Sequence, residues 1–162
     1  MNGIESALAS VWQPHAGQKA FLDNAARLKV LACGRRWGKT DACAAQIVSA
    51  LLRESPAKVL IIAPTLDQAR LLFDRVVEML EALTPPLHFV LQNKGGETGI
   101  KIRRSPYPHL RWGRHTVMAR SGQLGRSLRG NEATHIVIDE AAFLPEEIIT
   151  EIAMPMLATT SG

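Results

Sequence analysis

The residues that promise chemistry first are Cys33, Gly34, Arg35, Arg36, Trp37, Gly38, Lys39 and Thr40, one continuous run. They fall one position short of the P-loop pattern Gly-x-x-x-x-Gly-Lys-Ser/Thr, a turn whose backbone N–H groups close around phosphates. Gly38, Lys39 and Thr40 fit the pattern. Cys33 stands where its first glycine belongs, and Gly34 follows one residue later. In this reading the turn from Gly34 through Trp37 to Thr40 binds a nucleotide, Lys39 contacts its β- and γ-phosphates, and the Thr40 hydroxyl ligates Mg²⁺. A glycine turn without a ligand is the alternative.

A second run, His135-Ile136-Val137-Ile138-Asp139-Glu140, is an apolar strand ending in two carboxylates. In open α/β sheets ligands bind at that end of a strand. With a phosphate site nearby, Asp139 is expected to hold Mg²⁺ and Glu140 to act as general base on the attacking water. Alone, the two acids read equally well as the start of a helix.

Charge in flight on a γ-phosphoryl group needs cations. Arg35 and Arg36 lie inside the loop, and Arg126 and Arg129 precede the acidic strand. Arg35 and Arg36 each read as a phosphate contact or as an ordinary ion pair, and an arginine at 126 or 129 as one that reaches a nucleotide in its own or a neighbouring subunit. Gln18, upstream in "WQPHAGQKAF", has an amide that donates and accepts at once, which suits the edge of adenine; by chemistry alone an exposed helix glutamine fits as well. Trp12, Trp37 and Trp112 read as half-buried indoles or as stacking platforms. The five histidines show no metal-binding or catalytic spacing.

The elements that must carry these residues alternate. Residues 28–34 read as a buried strand entering the glycine turn. Residues 40–54 read as a helix with Ala42, Ile47 and Leu51 on its apolar face, ended by Pro56. Residues 58–64 form a second buried strand, and 65–83 an amphipathic helix capped by Thr65 and stopped by Pro85 and Pro86. Such alternation signals βαβ units and a mainly parallel sheet. Residues 87–120 change character: "HFVLQ", "TGIKIRR" and "RHTVMAR" are short alternating runs, expected as a hairpin-rich insertion. Residues 134–143 return to a strand, and 145–157 read as one helix, or as two broken at Pro155.

At 162 residues and 46% hydrophobic content the chain can bury a single core without disulfides or metal. Cys33 and Cys43 show no paired-ligand spacing. No apolar run is long enough to span a bilayer and the first residues lack the features of a signal peptide, so no membrane association and a cytoplasmic setting are expected. The net charge of +4 is unevenly spread. Residues 91–130 hold nine Lys and Arg against the single acid Glu97, whereas 131–162 hold six acids and neither Lys nor Arg. The basic block suits a polyanion or a solvated face.

In order, "QPHAGQKAF", "CGRRWGKT", "APTLDQARLLF", "SLRG" and "VIDEAAF" resemble the large terminase subunit of tailed bacteriophages over most of residues 12–157. The resemblance implies a three-layer P-loop ATPase that works as a ring of subunits, hydrolyses ATP with Mg²⁺ and drives double-stranded DNA into a procapsid. It also implies a portal protein and a small terminase subunit as partners. By position, Gln18 would read adenine, Lys39 and Thr40 form the Walker A pair, and Asp139 and Glu140 the Walker B aspartate and catalytic glutamate. Arg35 would sense the γ-phosphate, and Arg129 would be the finger inserted into a neighbouring subunit, with Arg126 as a nearby substitute. In the family a coupling strand and a nuclease domain follow. The expectation is therefore one ATPase domain over 1–162, shortened before that strand, with an exposed sheet edge. A superfamily 2 helicase-like ATPase, a remnant that binds nucleotide or DNA without turnover, and a dedicated nucleic-acid module are the rival readings.

Overall fold

A computed structural model describes residues 3–53, 55–92, 99–124, 128 and 132–159. Helices α1 (Gly3–Val11) and α2 (Ala16–Asp23) precede the glycine turn, and α3 (Lys39–Leu51) leaves it. Strand β1 (Lys58–Ala63) and helix α4 (Leu66–Gln92) follow. Next come β2 (Ile100–Arg103), β3 (His109–Trp112), β4 (His115–Ser121) and β5 (His135–Ile138). A π-helical stretch, Ile148–Ala153, then runs into α5 (Met154–Thr159).

The five strands form one sheet in the order β2-β3-β4-β1-β5. β1 lies parallel to β4, with Val59 opposite Val117 and Ile61 opposite Ala119, and parallel to β5, with Leu60 opposite Ile136. β2, β3 and β4 pair antiparallel. Because successive side chains of a strand point to opposite faces, the apolar run of β1 feeds two cores. Val59, Ile61 and Ala63 join Leu51 of α3, Phe73 and Leu80 of α4, and Val117 of β4. Leu60 and Ile62 face the other way, onto Leu128, Ala133, Ile148 and Ile152. The result is a helix–sheet–helix sandwich around β1.

Local chemistry explains most of the boundaries. Thr65 caps α4: its Oγ1 accepts the Gln68 N–H at 3.2 Å and the Gln68 Oε1 accepts the Thr65 N–H at 3.1 Å, a reciprocal capping box. Ala42, Ile47 and Leu51 are buried as their spacing predicts. The 145–157 segment divides at Met154, where the π-helical stretch passes into α5 beside Pro155, whose missing N–H leaves one bond of the continuous helical run unmade.

Three expectations are corrected. α4 continues through Pro85 and Pro86 to Gln92, so "HFVLQ" is helical and not a strand; proline's backbone angle is itself helical, although each ring removes an N–H donor and crowds the carbonyl four residues before it. The hairpin strands β2, β3 and β4 extend the main sheet, with β4 in the parallel ladder, and so do not stand apart as an insertion. Residues 29–34 carry no regular secondary structure, and Leu28 and Val30 are 72% and 80% exposed. A parallel strand exists only through its ladder, and among the described residues β5 pairs with β1 alone.

Candidate functional site

β1, β4 and β5 are parallel, so their C-terminal ends share one edge of the sheet. Asp139 and Glu140 leave β5 there, with the Asp139 N–H donating to the Ile62 carbonyl at 2.9 Å. Asp139 Oδ1 accepts the Glu140 N–H at 3.0 Å. Glu140 adopts a left-handed backbone, φ 52°, a conformation that non-glycine residues seldom hold away from functional turns.

The glycine turn meets these carboxylates. Lys39 Nζ lies 3.9 Å from Glu140 Oε1, and both side chains keep more than a third of their surface exposed. Such a contact stabilises little in water. Its value is positional, because it brings the lysine of one motif to the glutamate of the other. Half-burial and the neighbouring Glu140 charge push the Asp139 carboxyl above its usual range, against the pull of the Glu140 N–H and Lys39. On α3, burial raises the Cys43 thiol to about 11, with the Asp139 charge adding to the shift. That thiol stays protonated and inert near neutral pH.

The turn is shaped by two left-handed residues, Arg36 at φ 63° and Gly38 at φ 83°. Gly38 is the N-cap of α3 and offers no side-chain cap. The first N–H groups of α3 therefore have no side-chain acceptor from the cap, and the helix dipole adds positive potential in the same place, the ordinary makings of an anion site. Asp41 in that first turn is tied to Arg75 of α4 at 2.6 Å, and Arg75 reaches Glu78 at 3.0 Å. This contact fixes the start of α3 to its neighbour. Gly34, Arg35, Arg36 and Thr40 are exposed, and Trp37 is half-buried. Arg126 and Arg129 lie outside the described residues.

Gln18 is buried, 4% exposed. Its Nε2 donates to the carbonyls of Trp37 at 3.2 Å and Gly38 at 3.1 Å, which commits both amide hydrogens to the turn. Nothing in the spacing of the histidines singles out His15. It is the N-cap of α2, accepts the Gly17 N–H at 3.1 Å on Nδ1 and reaches the Trp37 carbonyl with Nε2 at 3.0 Å. A polar residue three positions before Gln18 at the start of a helix was the available signal, the spacing of a capping box, with histidine in place of Ser or Thr.

Among the described residues no three His, Cys, Asp or Glu side chains gather to hold a metal. Mg²⁺ bound with a nucleotide does not need three, since it takes one or two protein oxygens and fills its shell with phosphate and water. Thr40 and Asp139 supply oxygen donors of that kind. At the antiparallel side of the sheet, Lys101 pairs across from Arg111 and Arg103 from His109, on the outward face. Arg120 stacks on Tyr107 at 5.0 Å, and Arg104 pairs with Asp74 at 3.2 Å. The basic block is thus partly a charged face and partly internal bonding. No helix among the described residues is long and apolar enough to cross a membrane.

Residues 30–161 match the family described as the helicase domain of the RNA cytidine acetyltransferase NAT10/TcmA. The terminase large subunits of Thermus phage G20c and Thermus virus P23-45 are each 30% identical over 159 residues, covering 93% of this chain and 32% of theirs. The chain thus spans about a third of the length of these relatives. The large terminase ATPase domain of Thermus phage P74-26 superimposes with a TM-score of 0.82 at 26% identity, covering all of this chain and 66% of that one.

Proposed function

This chain belongs to the helicase-like family described for NAT10/TcmA, with phage terminase large subunits as its relatives, and we propose that it is the ATPase portion of a DNA-packaging motor. The observation that carries the reading is the approach of Lys39 to Glu140 beside the open N-terminus of α3. One site then holds a phosphate cradle, a cation for phosphate and a carboxylate for water.

In this reading the backbone of residues 34–40 and the Lys39 ammonium hold the phosphates of ATP. The Thr40 hydroxyl and the Asp139 carboxylate hold Mg²⁺, which when bound neutralises charge on the β- and γ-phosphates. Glu140 orients the attacking water and accepts its proton. Arg35, exposed in the turn, approaches the γ-phosphate; Arg129 reaches the site of a neighbouring subunit in a ring. Double-stranded DNA is the load, met in part by the face of Lys101, Arg103 and Arg111, and the portal protein and small terminase subunit are partners in the host cytoplasm. The match to a helicase-like family favours one rival, an ATPase that separates strands.

The test is steady-state release of phosphate from ATP and Mg²⁺ by the purified chain, with and without duplex DNA. Glu140→Gln is expected to lower turnover by about 10²- to 10⁴-fold, the usual contribution of a general base, while nucleotide still binds. Binding without turnover by the unaltered chain would favour the remnant. Displacement of a labelled strand from a duplex would favour the helicase.

A further inference from the structure

We propose that His15 and Gln18 form a brace that sets the phosphate-binding turn, so that Gln18 acts as a positioning residue and not as a reader of the base. The proposal rests on residues 34–40 being a phosphate site.

The bonds form a closed set. Gln18 Oε1 accepts the His15 N–H at 3.0 Å, completing the capping box of α2. His15 Nδ1 accepts the N–H groups of Gly17 and Gln18, so it carries no proton and Nε2 does. That Nε2–H donates to the Trp37 carbonyl at 3.0 Å. Gln18 Nε2 spends its two hydrogens on the carbonyls of Trp37 and Gly38. The Trp37 carbonyl thus has both lone pairs filled from α2. The His15 ring also stands edge-on to the Trp37 indole, 4.9 Å between centroids.

Peptide geometry turns these contacts into a function. In a trans peptide the carbonyl and the following N–H point to opposite sides. Drawing the Trp37 carbonyl toward α2 therefore turns the Gly38 N–H away from it, available to an anion, while the Gly38 carbonyl is shared between Gln18 and the Ala42 N–H of α3. The packing is close: a Cβ on Gly38 would meet Gln18 Nε2, and one on Gly17 would lie 3.2 Å from both His15 and Trp37. A buried amide with both hydrogens committed has none left to donate to a purine, and freeing one would break a hydrogen bond that ties the turn to α2.

The experiment titrates the 162-residue chain with ATP, GTP and inorganic tripolyphosphate, each with Mg²⁺, by calorimetry. Gln18→Glu keeps the oxygen that accepts from His15, and glutamate suits a capping box, but it has no hydrogens for the turn. His15→Asn keeps an N-cap acceptor but has no second ring nitrogen to reach Trp37. Each variant is expected to weaken all three ligands by a similar factor, about tenfold for the loss of one or two hydrogen bonds that orient the turn, with helix content unchanged by circular dichroism. Loss confined to ATP would make Gln18 a base reader and overturn the proposal. Unchanged affinity in both variants, while Lys39→Ala weakens binding, would overturn the brace alone. If Lys39→Ala also changed nothing, the phosphate-site reading would fail and the brace with it.

Discussion

The two flanks of β1 are built to different degrees. On one side β4 continues into β3 and β2, and apolar residues such as Leu110, Val117 and Ala119 are fully buried. On the other, the described sheet stops at β5, whose Ile136, Val137 and Ile138 are only partly buried, and residues 29–34 enter no ladder. Both flanks have strand-like sequences. The difference teaches that an apolar β-branched run reports what residues prefer, whereas a strand also needs a neighbour with free backbone groups. The carboxylates sit on the less covered flank, and the glycine turn hangs from a segment without a ladder.

The largest effect should come from the shared centre. Ile61→Ala removes a fully buried side chain and is expected to cost about 2–5 kcal/mol in urea denaturation. Val137→Ala on β5, half-buried, should cost clearly less; an equal cost would erase the distinction between the flanks. Next in size, Thr65→Ala breaks the cap of α4 and should cost about 1 kcal/mol in the same assay. Val30→Ser, at an exposed position, should stay within about 0.5 kcal/mol. A larger loss there would mean that residues 28–34 are covered in solution.

The smallest effect is one of pH. Burial, with Arg103, Arg120 and Arg111 nearby, holds the His109 imidazole below its ordinary value of 6.5. The unfolded chain then binds the extra proton, so stability present above that value is lost as pH falls through it. His109→Gln should flatten the slope of stability against pH just below 6.5. An unchanged slope would place the titration elsewhere.

Much of this was legible in sequence because it is local. The spacing of Ala42, Ile47 and Leu51 requires a helix with one buried face, and Thr65 with Gln68 marks the start of another. Gly38, Lys39 and Thr40 announced the turn, and Asp139 and Glu140 the end of a strand. That Lys39 meets Glu140 follows from the parallel ladder, since β1 and β5 end at the same edge. What escaped was non-local or depended on competition. Pro85 and Pro86 were read as stops, although their backbone angle permits a helix. The strand over 28–34 was inferred from composition without regard to a partner. The hydrogen bonds from the Gln18 amide to the Trp37 and Gly38 carbonyls join residues 19 and 20 positions apart, a separation that local spacing does not reveal. His15 went unread because histidine is a rare cap.

The central claim is that residues 34–40 cradle phosphate with Lys39 as its cation. Equilibrium titration of ATP and Mg²⁺ into the chain and its Lys39→Ala variant tests it most directly. Binding by the chain and a loss of about tenfold to a hundredfold in the variant, the worth of a charged hydrogen bond, is the predicted result. Equal affinity for the two would contradict it.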